Sequence, residues 1–210
     1  MILRSIRTTT WFGGIALVFI LVGCSLKGPS PQRQFHFIPP VELDHAGPGM
    51  DGTPSSRIQI RPLAIAPAFD THFFTYRMGE TELTPDFTHL FAAGPGPMVT
   101  NVITQALVQL PGLTRATPPL PPEFRLSGTL VEIYGDFRSM DAPRARISLD
   151  LHLEQKTPRG YVTRIQDRFT REIPLAASAP QQLGPAWSKA LEQILLDFLE
   201  QWQAMSPPNS

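Results

Sequence analysis

Hydrophobic positions recur along this chain in three rhythms. From Trp11 to Val22 they form a nearly unbroken apolar run. From residue 25 to about 56 the rhythm disappears: "SLKGPSPQRQ" and "DHAGPGMDGTPSS" are rich in Gly, Pro, Ser and Asp and read as a tether. Between them, "FHFIPPVEL" predicts one short strand through Phe35, Phe37 and Ile38, stopped by Pro39. From "RIQIRPLAIAPAF" onward the apolar residues alternate. Ile58 and Ile60 share one phase and Leu63 and Ile65 the other, with Pro62 at the change, which predicts a bulge or an edge position there. "THFFTYRMGETELTP" places aromatic and β-branched residues on both sides of Met78-Gly79 and predicts a hairpin or extended arm. "DFTHLF" after Pro85 reads as a short turn or helix.

The rhythm then changes to three and four. Met98, Val99, Val102, Ile103, Ala106, Leu107 and Leu110 predict a helix that Pro97 opens and Pro111-Gly112 ends. "EFRLSGTLVEIYGDF" returns to strand spacing, with a phase slip near Leu130-Val131. In "ARISLDLHLE", Ala145, Ile147, Leu149, Leu151 and Leu153 face one way and Arg146, Ser148, Asp150, His152 and Glu154 the other. "KTPRG" is a turn, and "YVTRIQDRFTREI" is a third strand with Tyr161, Ile165, Phe169 and Ile173 on one face. Three consecutive strands of this kind predict an antiparallel meander with one wet face. Last comes "PAWSKALEQILLDFLEQW", whose Trp187, Leu191, Ile194, Leu195, Phe198 and Trp202 form one broad helical stripe. Half-dry strands and two amphipathic helices predict an α+β, two-layer sandwich: a mostly antiparallel sheet with both helices on one face.

Composition sharpens the first run. Arg4 and Arg7 precede it with no acid nearby, and the run is as long as a secretory apolar region but short for a membrane span. It ends in Leu21-Val22-Gly23-Cys24, around the only cysteine of the 210 residues. That order of charged, apolar and small residues before a cysteine resembles a bacterial lipobox. The resemblance implies a signal peptide over 1–23, cleavage between Gly23 and Cys24, and acyl chains on Cys24 that hold the mature chain to a membrane. Two acyl chains suffice for firm anchoring. Ser25 stands where an aspartate would resemble an inner-membrane retention signal, which favours the periplasmic face of the outer membrane. The expected organisation is then a lipidated tether over 24–56, an α+β domain over 57–203 and a polar tail over 204–210.

Charge excludes one class of partner. The chain has 18 basic and 18 acidic residues, and after removal of Arg4 and Arg7 the balance is 16 to 18. No basic field exists to attract nucleic acid. Catalytic chemistry is not apparent either. There is no GxSxG or HExxH motif, and one cysteine excludes CxxC sites. His36, His45, His72, His89 and His152 show no ligand spacing. "GPGPMV" at 94–99 precedes a helix as phosphate loops do, but Pro95 and Pro97 lack the N–H groups that would cradle an anion, so it reads as a stiff helix start. No enzyme, metal or cofactor is expected. Phe73, Phe74 and Tyr76 are the candidate partner contact: extended spacing puts Phe74 and Tyr76 on one side of the arm and Phe73 on the other.

Together, "FHFIPP", "IQIRPLAIAPAFD", "FFTYRMGETELTPDFTHLFAAGPGPMVTNVITQAL", "LSGTLVEIYGDF" and "ALEQILLDFLEQW" make residues 35–202 resemble the ABC-type transport auxiliary lipoproteins. The best-known branch is the outer-membrane lipoprotein of the paraquat-inducible (Pqi) transport system. Phe91 is the nearest aromatic to the turn where many members carry tryptophan. The resemblance implies a partner with MCE domains, an inner-membrane machine moving lipids across the periplasm, and ring-like homo-oligomers. It carries over no catalytic residue. A lipid-carrying module and an outer-membrane assembly lipoprotein remain open as alternatives.

Overall fold

The computed structural model describes residues 32–43 and 56–205. Gly23, Cys24, most of the tether and the tail from 206 lie outside the described residues. The compact unit begins at Arg33.

Among the described residues nine strands form one mixed sheet with two helices, an α+β fold. The strands are β1 (Gln34–His36), β2 (Ser56–Ile60), β3 (Ala64–Ile65), β4 (Phe73–Arg77), β5 (Leu83–Phe91), β6 (Leu113–Arg115), β7 (Phe124–Asp136), β8 (Arg144–Thr157) and β9 (Gly160–Pro174). The helices are α1 (Pro95–Val108) and α2 (Leu183–Met205).

β7 organises the sheet. One of its edges pairs antiparallel with β8, which pairs antiparallel with β9, as the alternation predicts. The other edge is shared by three strands in succession, all parallel to it. Ile60 lies opposite Leu126, Ile65 opposite Leu130, and Tyr76 opposite Gly135. Beyond them the sheet divides into two wings. β6 extends it past β2, and β5 then β1 extend it past β4. The expectation of a mostly antiparallel sheet holds in part: the long ladders β7–β8 and β8–β9, and β4–β5, are antiparallel, whereas the short ladders of β1–β5, β2–β6 and of β2, β3 and β4 on β7 are parallel, which makes the sheet mixed. Parallel pairing needs a long crossover, and α1 with its flanks supplies one between β2 and β6.

Local chemistry sets several boundaries. β2 stops at Ile60 and β3 resumes at Ala64, so Pro62 marks a break in the strand line: β6 covers only the start of β2, and β3 pairs with β7 alone. In that break the Leu63 N–H donates to Thr100 Oγ1 at 3.0 Å, and the Thr100 hydroxyl donates to the Gly96 carbonyl at 2.8 Å, which ties the connector to α1. Gly94 caps α1 without a side-chain bond and Pro95 opens it, where a missing N–H costs nothing. The phase slip in β7 is a register shift between Leu130 and Glu132. "DFTHLF" is not a turn or helix: it is the second half of β5, held by β1 on one edge and β4 on the other.

The core is one cluster containing the buried face of the sheet and of both helices. All six stripe residues of α2 are buried, with Trp202 edge-on to Phe124 and Phe198 edge-on to Phe169. Each such side chain contributes roughly 1.5–3 kcal/mol on burial. β9 buries only Ile165 and Phe169 fully; the Asp167 and Arg171 positions of that face are met by Gln201 and Asp197 on the rim of α2. Ile38 and Val41 are also buried in this core. Their segment crosses the start of α2, where a Cβ at Gly184 would come within 2.8 Å of the Phe37 carbonyl oxygen. Residues 33–43 thus belong to the folded unit and not to the tether.

Candidate functional site

The β4–β5–β1 wing gathers the unusual side chains. Its register decides which face each one takes. Phe73 pairs with Leu90, but the next residue, Phe74, pairs with Asp86, so Phe87 to His89 bulge out of the β4 ladder. Asp86 shapes that bulge: its Oδ1 accepts the N–H of Thr88 at 2.7 Å and of His89 at 3.2 Å.

On the inner face, Phe74 is wholly buried, 5.1 Å from Trp187 and 4.7 Å from Phe91 between ring centroids. Beside it stands a small polar cluster. The Tyr76 hydroxyl donates to Asp86 Oδ2 at 2.5 Å, and His89 Nδ1 lies 2.6 Å from the same oxygen. The His36 ring sits 5.0 Å from Phe74 and 5.3 Å from His89. Burial first, then the Asp86 carboxylate, pushes the Tyr76 phenol far above its ordinary range. Burial and then His89 hold His36 below its ordinary value. For Asp86, burial acts upward, yet the bonds from Tyr76, Thr88 and His89 together leave it below the ordinary carboxylate range. The cluster fastens β1 and the β5 bulge to the core edge.

On the outer face, Phe35, Leu90 and Phe73 lie side by side across β1, β5 and β4. Phe87 meets Phe73 edge-on at 5.0 Å. Leu90 is only 6% exposed although it is not part of the main core; its two in-register neighbours are phenylalanines. Phe35 and Phe87 are each 65% exposed, and Phe37, just past β1, is 67% exposed. Phe37 also lines an apolar cleft of about 310 Å³ with Ile38, Ala92, Met98 and Val102.

Of the three residues singled out as the candidate partner contact, Phe73 alone joins this outer row. Phe74 is core, and Tyr76 is partly buried and committed to Asp86. Sequence reading passed over Phe35, Phe37 and Phe87 as contacts. The signal available was Phe35 and Phe37 at strand spacing next to buried Ile38; Phe87 had none, because its segment read as turn or helix.

Among the described residues no group of three or more His, Cys, Asp or Glu could hold a metal ion, and no helix is long and apolar enough to cross a membrane.

Among the described residues, a nine-stranded mixed sheet with two helices defines an α+β fold, and the exposed phenylalanines gather at one wing of it. Solved structures share the fold. Protein XCC0632 from Xanthomonas campestris, of the DUF330 family, superposes with a TM-score of 0.68 at 16% identity over 83% of this chain and 100% of its own. A second, an uncharacterized protein, gives 0.65 at 14% identity over 81% and 99%. Hypothetical protein CT253 from Chlamydia trachomatis gives 0.51 at 10% identity over 74% and 99%. No protein-family model matches the chain, and no curated protein matches it in sequence.

Proposed function

We propose that the protein is a non-enzymatic lipoprotein, anchored by Cys24 at the periplasmic face of the outer membrane, that serves an envelope lipid-transport system of the ABC/MCE type. The observation that carries this is the lone Cys24 after Leu-Val-Gly at the end of the apolar run, nine residues ahead of Arg33 where the compact unit begins. The α+β unit is the docking part, and an MCE-domain protein is its partner. We read its architecture as two layers, with α1 and α2 on the sheet face that carries Phe74 and Leu149.

Two experiments test this. Cys24→Ser should leave an unprocessed, membrane-held precursor; release of a processed soluble chain would overturn the anchoring. The mature chain should retain a co-encoded MCE-domain protein at micromolar concentration. Absence of binding there would overturn the transport role while leaving the anchor intact.

A further inference from the structure

We propose that the outer face of the β1–β5–β4 wing, through Phe35 and Phe87 with exposed Phe37 at its edge, is a lipid-contacting surface on which the folded unit rests against the bilayer. This rests on the reading of Cys24 as the anchor.

Exposed Phe35 and Phe87 share that face, and Phe37 stands just past the end of β1 at the mouth of the cleft it forms with Met98 and Val102. Phe35 and Phe73 flank Leu90, Phe87 braces Phe73, and none of the four carries an ionisable group. The row is built: it buries a leucine outside the core and holds rings outward on paired strands. A protein partner of ordinary kind would find about one hydrogen bond per 100–200 Å² of interface, and these side chains offer none. A bilayer interface asks for none and favours apolar rings set into the headgroup–acyl boundary.

The length of chain before the fold selects the same occupant. Nine chain steps, with eight residues between, lead from Cys24 to Arg33. As a loose coil they span about 15–18 Å, comparable with the radius of gyration of a folded unit of this size, about 16 Å. Fully extended they reach only about 30 Å. An anchor at Cys24 therefore holds the unit at the membrane surface, and the point of attachment is two residues from Phe35. Between Cys24 and Glu42 the ionisable side chains are Lys27, Arg33 and His36 beside Cys24 itself, with no acid. That local charge suits anionic headgroups, although the mature chain as a whole is slightly acidic.

The test separates this surface from lipidation. Every strand, both helices and the core lie within residues 34–205, so a chain running from Ser25 to Ser210 keeps the whole fold. An N-terminal hexahistidine on that chain replaces the acyl anchor and binds vesicles of phosphatidylethanolamine and phosphatidylglycerol doped with nickel-chelating lipid. Phe87→Trp then reports on the wing. Leu120→Trp, at an exposed site beyond the opposite end of β7, is the control. Buried Trp187 and Trp202 give a constant background and show that each variant is folded. With brominated acyl chains in place of ordinary ones, the added emission of Phe87→Trp should fall about twofold, as for a ring seated at the acyl boundary. That of Leu120→Trp should not change, and adding Phe35→Ser and Phe37→Ser should abolish the quenching. Equal quenching of the two tryptophan variants would overturn the proposal. So would quenching that survives the double serine change, or protection of the wing by a second copy or a bound MCE-domain protein with no quenching. None of these results bears on Cys24, whose processing is read separately.

Discussion

The outward face of the sheet carries two chemistries. Over β7, β8 and β9 it is a lattice of partners: Arg146 bridges Glu132 and Glu172, Glu172 also meets Arg144, Arg168 makes a two-point contact with Asp150, and Ser148 bonds Thr170. Each of these charges has its complement in an adjacent strand. Toward the end of the wing formed by Phe73, β5 and β1, the same face presents the rings of Phe35, Phe73 and Phe87, two of them largely exposed, while Arg77 at the other end of β4 is tied to Glu80 and Tyr134. The first surface is complete in water. It also blunts the long β9 edge, since charged edge strands resist pairing with other chains. The second leaves apolar area in water that a bilayer can cover. One sheet thus separates a face for solvent from a face for contact, about the axis of β7.

The comparison predicts a steep difference between the two sides of the aromatic wing. Phe74→Ala should destabilise the fold by about 3–5 kcal/mol, because it opens a cavity against Trp187 and Phe91. Phe73→Ala, one residue away on the outer face, should cost about 1 kcal/mol or less. Urea denaturation of the pair checks this; equal losses would mean that the outer row is core.

Asp86→Asn comes next. It should cost about 2 kcal/mol, since the carboxylate is shared by Tyr76, His89 and two backbone N–H groups. Acid should act on the same place. Because His36 is held below its ordinary value, the unfolded chain binds that proton first and the folded state loses stability as pH falls. Amide exchange at β1 should therefore quicken between about pH 7 and 5, while β8 stays protected. Asp86, also lowered, adds a further loss only at more acidic pH.

Smaller effects belong to the charged face. Arg146→Ala should cost about 0.5–1 kcal/mol, because its partners are partly exposed, and the loss should shrink in high salt. A salt-independent loss would show that Arg146 acts through packing instead. Smallest of all, Phe35→Ser and Phe87→Ser should change thermal stability by less than about 0.5 kcal/mol while removing vesicle contact.

Much of this was legible in advance. The meander from β7 to β9 could be read from alternation because its strands are consecutive and its turns short. The slip at Leu130–Glu132 showed as a change of phase. The stripe of α2 showed because its apolar residues all lie on one helical face. The three residues of the candidate contact part company: Phe73 lies on the outer row, Phe74 in the core, and Tyr76 is bonded to Asp86. Alternation placed Phe73 and Phe74 on opposite sides but could not say which side was core. β5 was cut short because Pro85 and Asp86 resemble turn residues. Their bulge is tolerated since the Asp86 carboxylate accepts the N–H groups of Thr88 and His89 and β1 supplies a ladder from His89 onward.

Period and side-chain chemistry, then, were enough to determine the β7–β9 strands, the two amphipathic helices, the α+β class and the lone cysteine's position at the end of an apolar run. These are local properties, encoded within a dozen residues. Only the tertiary structure decided that β2, β3 and β4 would line up in parallel along one edge of β7, and that residues 33–43 would join the fold. It also decided that Phe35, Phe73 and Phe87, drawn from three strands, would share a face. Such pairings join residues as far apart as Phe35 and Leu90, and alternation records which side a residue faces without recording its neighbour.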